Sequence, residues 1–349
     1  MSAAYSPQGY LFCSGGIHSL ELWEVRTGNH FQTLKDYSGL VNAIAFSPHG
    51  NQVAACIDLT IRLWDVSTGD CIHTLTGHTE SVIIIAYSSQ GHQVASGGWD
   101  KTVRIWDVES GDCLQTLTGH TDCVNRVVFS PQDDQVASAS QDTTVKLWDP
   151  KTLECRYTFT DFNMLGPGVV FSPQGHQVTF YTFSGNIRVW ETHTGDSLHV
   201  LSGHAKSVTS IVYSPKGHLI ATASKDSTVR LWDISSGECR AVISDFNSYV
   251  KKITWSLSSE VIYFATACDD GSVRMWRLME DENLCRVRLC WSSGYHGLAA
   301  MGAFIQDVDG LSLVNKRLLK QRGAVGEPSL HLETGKLIRH THSGNYPTE

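Results

Sequence analysis

Seven tryptophans constrain this chain more than any other feature. Trp23, Trp64, Trp106, Trp148, Trp190, Trp232 and Trp276 are separated by 41, 42, 42, 42, 42 and 44 residues. A period this constant over most of 349 residues requires one structural unit copied along the chain. The clearest copies are Val94–Asp107 (VASGGWDKTVRIWD), Val136–Asp149 (VASASQDTTVKLWD) and Ile220–Asp233 (IATASKDSTVRLWD). Each alternates apolar and polar residues around an Asp-centred turn, which predicts a β-hairpin. An acidic residue follows six of the tryptophans (Glu24, Asp65, Asp107, Asp149, Glu191, Asp233), and Arg277 follows the seventh.

Each unit has room for four strands. In the unit ending at Trp106 they are expected at Val82–Tyr87, Gln93–Ser96, Thr102–Trp106 and Cys113–Leu117, separated by short polar turns. A lone four-stranded sheet of this kind cannot bury both faces. Seven of them stacked around an axis bury each face on the next.

Two further signals recur with the hairpin. One is a Gly-His pair, at Gly77-His78, Gly119-His120 and Gly203-His204. The other is an aromatic-Ser-Pro turn, at Phe46-Ser47-Pro48, Phe129-Ser130-Pro131, Phe171-Ser172-Pro173 and Tyr213-Ser214-Pro215. In this order and period the motifs resemble the WD-repeat family over residues 1–291. The closeness of the units to one another also resembles the WD sensor arrays of NACHT and apoptosome-type signalling ATPases. The resemblance implies an all-β, seven-bladed WD-repeat β-propeller.

The ends depart from the repeat. SAAYSPQG after Met1 aligns with Ala43–Gly50, so blade 1 is expected to be truncated at the N-terminus and has no Gly-His pair. Leu284–Trp291 fits the outer strand of blade 7. Closure would then rest on blade 1 packing against blade 7 without an exchanged strand. A partial extra blade from residues 292–310 is the alternative. Residues 292–349 form a short C-terminal extension in which 297–305 are apolar. Within it Leu311, Val314, Leu318 and Leu319 predict one amphipathic helix over 311–321, ended by Gly323 and expected against the propeller edge rather than a membrane. The tail beyond is expected to be partly disordered.

Composition narrows the function classes. A net charge of −8 argues against a broad nucleic-acid footprint. No apolar run approaches the roughly 18 residues that span a bilayer. No signal peptide is visible, so an intracellular, cytoplasmic protein is expected, with the nucleus as the alternative. Four of the ten cysteines (Cys71, Cys113, Cys155, Cys239) repeat at one position, a blade apart and too far to pair. No cysteine-histidine spacing suits zinc, so no metal is expected.

His, Ser/Thr and Asp recur together in three units, the residue types of a hydrolase triad. Three copies at one repeat position predict architecture instead. The resemblance assigns them to buried tetrads: His78, Ser96, Asp100 and Trp106; His120, Ser138, Asp142 and Trp148; His204, Thr222, Asp226 and Trp232. Asp would orient the imidazole, the imidazole would donate to the hydroxyl, and the hydroxyl would accept the indole N–H. Four units depart from the pattern. Tyr37, Phe162 and Phe246 replace His in units 2, 5 and 7. Ala54 replaces the hydroxyl residue in unit 2, Phe180 and Ser184 replace the hydroxyl residue and Asp in unit 5, and unit 1 has Cys13 and Ile17. Unit 7 keeps Thr266 and Asp270. These blades are expected to be softer. No phosphate-binding, dinucleotide-binding or HExxH motif is present, so no catalytic site and no cofactor are expected.

In the WD-repeat family, partner contacts recur three and five residues after the His and one before the turn Asp. Carried onto this sequence, those offsets give Leu40, Asn42 and Ile57; Ser81, Ile83 and Trp99; and Cys123, Asn125 and Gln141. The remaining units give Leu165, Pro167 and Phe183; Ser207, Thr209 and Lys225; and Tyr249, Lys251 and Asp269. Trp99 occupies a position that varies from unit to unit, which marks it as a binding hot spot. Leu40, Ile57, Ile83 and Trp99 are expected to form an apolar patch across blades 2 and 3. The resulting expectation is a non-catalytic scaffold for a protein or peptide partner. The alternatives are the ligand sensor of a signalling-ATPase complex, or a propeller subunit of a ribonucleoprotein or ubiquitin-ligase assembly.

Overall fold

The computed structural model describes residues 2–293, apart from positions 17, 18, 36, 38, 161–167, 182–184, 256–261, 282 and 283. Within them lie seven four-stranded antiparallel sheets, each built from four strands consecutive in the chain. Blade 1 runs from strand Ala3–Tyr5 to strand His30–Leu34, and blade 2 from Val41–Phe46 to Cys71–Leu75. Blade 3 comprises Val82–Tyr87, Gln93–Gly98, Val103–Asp107 and Cys113–Leu117. Blades 4, 5 and 6 open at Val124–Phe129, Gly168–Phe171 and Val208–Tyr213. Blade 7 opens at Val250–Trp255 and ends with Leu284–Ser292. We call the strands of each blade a to d in chain order. Neighbouring a strands lie against one another, which puts them innermost.

Alternation within each strand decides what the blades bury. Leu22, Leu63, Ile105, Leu147, Val189 and Leu231, each the residue before a strand-c tryptophan, point to one face and are fully buried. The tryptophans point to the other face. The Leu63 face of blade 2 meets the Trp106 face of blade 3, with Ile61, Val82 and Val94 in the same cluster. The cores between blades 1 and 2, 3 and 4, 4 and 5, 5 and 6, and 6 and 7 are built the same way.

Strand b of blade 3 runs to Gly98, two residues past its expected end at Ser96. The helix expected over 311–321 lies outside the described residues, as do Ile17, Phe162, Leu165, Pro167, Phe183 and Ser184.

Candidate functional site

Two sets of side chains lie where the d-to-a connections meet the b–c turns. The first is the buried tetrads of blades 3, 4 and 6. In blade 3, His78 Nδ1 lies 2.7 Å from Asp100 Oδ2 and its Nε2 lies 2.7 Å from Ser96 Oγ, to which Trp106 Nε1 donates at 2.8 Å. In blade 4, His120 lies 2.8 Å from Asp142 and 2.7 Å from Ser138, and Trp148 donates to Ser138 at 2.7 Å. In blade 6, His204 lies 2.9 Å from Asp226 and 2.7 Å from Thr222, and Trp232 donates to Thr222 at 2.9 Å.

The electrostatics correct one bond direction. Burial lowers the pKa of His78, His120 and His204 by more than the neighbouring carboxylates raise it, so the imidazoles are neutral. Nδ1–H then donates to the carboxylate, and Nε2 accepts from the hydroxyl. The hydroxyl is therefore the donor in that bond, not the imidazole. Burial raises Asp142, but hydrogen bonds from Thr144, the Thr121 N–H and His120 outweigh it and hold the carboxyl at about 2. Asp100 and Asp226 are lowered by the same balance. The glycine of each Gly-His pair has a positive φ that side chains rarely adopt, +155° at Gly77, +141° at Gly119 and +159° at Gly203. A Cβ at Gly77 would also meet Arg104 Nη1 at 2.8 Å and the Trp106 ring at 3.3 Å. The Arg104 guanidinium in turn lies over Trp106, 6.0 Å from its ring centroid.

The remaining blades satisfy their tryptophans differently. Trp276 donates to Thr266 at 3.0 Å, with Phe246 in place of the imidazole at 5.5 Å. In blade 1 the acceptor is Ser14, at 3.1 Å from Trp23 Nε1, not Cys13. In blade 2 the residue at the hydroxyl position is Ala55, not Ala54, and Trp64 donates instead to the Lys35 carbonyl at 3.1 Å. Register shows the cause. Ser96 lies opposite Arg104, two residues before its tryptophan; Ala55 lies opposite Arg62 and Ser14 opposite Glu21. In blades 1 and 2 that hydroxyl position lies one residue nearer the tryptophan, because the b–c turn is shorter.

The second set is the residues named as partner contacts. The N–H of Trp99 donates to the Ser81 carbonyl at 2.9 Å, Gln141 to Cys123 at 2.8 Å, Lys225 to Ser207 at 2.9 Å and Asp269 to Tyr249 at 3.0 Å. Four of the six pairs are thus brought together at the rim. Their side chains differ in availability. Trp99 is 57% exposed and Leu40 63% exposed. Lys225 is exposed, and Ser81, Ile83, Asn125, Gln141 and Ser207 are half-buried. Cys123 is buried. Asn42 Nδ2 donates to the Val82 carbonyl at 2.9 Å, and Thr209 donates to the Val250 carbonyl, so both tie neighbouring blades together. Lys251 pairs with Asp269 at 2.5 Å and lies over the Tyr249 ring. That pairing raises the lysine and lowers the aspartate.

Ile57 is a second correction. It is 3% exposed and registers with Val41, just as Gly98 registers with Val82 in blade 3. It therefore belongs to the core between blades 1 and 2. The blade 2 turn is the two residues Asp58-Leu59, between paired Ile57 and Thr60, where blade 3 has the three residues Trp99-Asp100-Lys101. Counting back from Asp58 lands inside the strand. The exposed apolar residue of that turn is Leu59, which the motif offsets missed and which the 41-residue step from Trp23 to Trp64 signals. Leu59 stands beside Asp58, whose carbonyl accepts from Val82 N–H next to Ser81. Gly39, beside Leu40, abuts the Asp58 carboxylate. Leu40, Leu59 and Trp99 are the exposed large apolar residues that blades 2 and 3 present at this end.

Among the described residues, no group of three His, Cys, Asp or Glu side chains is placed to hold a metal, and no helix is long and apolar enough to cross a membrane. Seven consecutive four-stranded blades, three of them with complete internal tetrads, define a β-propeller. A family model for the IFT122 first beta-propeller matches residues 40–165, and the model of the WD domain, G-beta repeat, matches residues 195–233 and 237–277. The chain belongs to the WD-repeat β-propeller family. No curated protein matches it. Propellers of this family in general are non-catalytic and mediate protein–protein interactions.

Proposed function

We propose that this propeller is a non-catalytic scaffold that takes a protein or peptide partner on the rim formed by Leu40, Leu59 and Trp99. The observation that carries the reading is Trp99. An indole more than half exposed, on a turn pinned by its own backbone bond to Ser81, is a large apolar anchor held ready at little conformational cost. Half-buried Ser81, bonded to the Trp99 N–H, and exposed Asn42, bonded to the carbonyl of the adjacent Val82, supply polar groups on the same two blades. A nucleic-acid partner is disfavoured, since Lys251, one of two lysines among the named contacts, is neutralised by Asp269.

The test is affinity capture with the intact chain, Trp99→Ala, Leu59→Ser, and Leu153→Ser as a control at an exposed leucine on a c–d turn. Partners held by the intact chain and by Leu153→Ser should be lost from the first two variants. Identical partners on all four proteins would overturn the reading.

A further inference from the structure

The innermost strands carry three charged residues, and all three are cations: Arg126 in blade 4, and Lys251 and Lys252 in blade 7. No Asp or Glu occurs in any strand a. Lys251 is paired with Asp269. Among the described residues, Arg126 and Lys252 have no carboxylate partner.

Register puts these two cations at one level of the channel. Arg126 stands opposite Ala139 and Lys252 opposite Ala267, each just past a bulge that follows the opening valine of its strand. Blades 4 and 7 are three apart in a ring of seven, so their innermost strands face each other across the channel. Both side chains are exposed although they leave innermost strands, which puts their charged ends in the channel water. Burial lowers the Lys252 ammonium, and Arg126 lowers it further. The group thus reaches water, is enclosed by protein, and feels the guanidinium from the far wall. Arg126 also acts on Tyr181 of blade 5, offsetting part of the rise that burial imposes on that phenol. At the same level Ala43 and Ser210 are short, and the Tyr181 ring takes the space that a Cβ at Gly168 would need. Two like charges held in a partly enclosed site raise the energy of the free chain, and an anion between them removes that cost.

We propose that the central channel binds a phosphate-class oxyanion between Arg126 and Lys252. The guanidinium offers a planar pair of N–H donors that matches two oxygens of such an anion, and the ammonium adds a compact charge from the opposite side. The short side chains of Ala43 and Ser210 leave room beside them for a small ligand. The site uses none of the residues of the Trp99 rim, and it survives or fails independently of that reading.

Titration calorimetry of the full chain with inorganic phosphate and with pyrophosphate, each against chloride at matched ionic strength, tests it. At least one of the two should bind saturably. Phosphate binding would assign a single oxyanion, and binding of pyrophosphate alone a diphosphate. Arg126→Gln and Lys252→Met should each weaken binding about tenfold or more. Lys252→Arg keeps the charge and should bind within a few-fold of the unsubstituted chain, which separates a lost charge from a disturbed blade. Lys225→Gln, at an exposed lysine of the rim, should leave the affinity unchanged. The absence of saturable binding by either anion would overturn the proposal. So would binding that ignores Arg126→Gln and Lys252→Met, or that weakens equally in Lys225→Gln.

Discussion

Phe180 stands opposite Arg188 in blade 5, at the position from which Ser96 opposite Arg104 accepts the Trp106 N–H in blade 3. Among the described residues, the indole N–H of Trp190 has no hydrogen-bond partner. Aromatic packing replaces the network there, with Phe159 and Trp190 centroids 4.6 Å apart. A buried donor without an acceptor costs about 1–3 kcal/mol. In a repeat array that cost falls on one unit and its neighbours.

Blade 5 should therefore exchange its strand amides faster than blades 3, 4 and 6, whose tetrads are complete. Blades 1 and 7, which keep only the hydroxyl–indole bond, should fall between. Native-state hydrogen exchange resolved by blade reads this order directly. Equal protection in blades 4 and 5 would contradict it.

His120→Phe imitates the aromatic at position 246 but leaves the Asp142 carboxylate, 4% exposed, without its imidazole. Losing a hydrogen bond to a buried charged group costs about 1.5–3 kcal/mol. Adding Asp142→Asn removes the stranded charge and should recover a substantial part of that loss. A double-mutant cycle on the exchange of blade 4 measures the coupling. Additive losses would show that the two side chains act separately.

Acid should weaken the propeller in two stages. The three tetrad histidines are lowered from an ordinary value of 6.5, so the unfolded chain takes up protons first as pH falls. Their stabilisation is complete above 6.5 and is lost below it, at up to about 1.4 kcal/mol per pH unit for each imidazole. Asp100, Asp142 and Asp226 are also lowered, so a second loss begins near 3.8 and extends to about 2 for Asp142. Denaturation midpoints between pH 7.5 and 5 should fall, and the fall should shrink in His78→Phe/Asp100→Asn. A flat profile would show that the imidazoles titrate alike in folded and unfolded chains.

Ile57 and Trp99 should behave as opposites, although their motif offsets are the same. Ile57→Ser puts a hydroxyl into an apolar cluster and opens a cavity, costing about 3–5 kcal/mol. Trp99→Ala removes an exposed side chain and should change stability by no more than about 0.5 kcal/mol. Thermal unfolding of the two variants separates a core position from a surface one.

By itself the sequence determined the repeat and the four strands of each unit, and its resemblance to the WD-repeat family implied which residues meet in blades 3, 4 and 6. Those features are set by residue type at a constant period, and strand alternation carries them into the fold. Turn length is different. A one-residue deletion in a b–c turn leaves the motif readable but moves the count, which is why Ser14, Ala55 and Leu59 emerge only from strand register. In blade 1 the shorter turn precedes the first tryptophan, so no tryptophan spacing records it. Tertiary structure alone decided that Asn42 and Thr209 tie adjacent blades and that Asp269 neutralises Lys251. The ties between blades depend on the distance between units and the ion pair on side-chain reach within blade 7, and a one-dimensional repeat records neither.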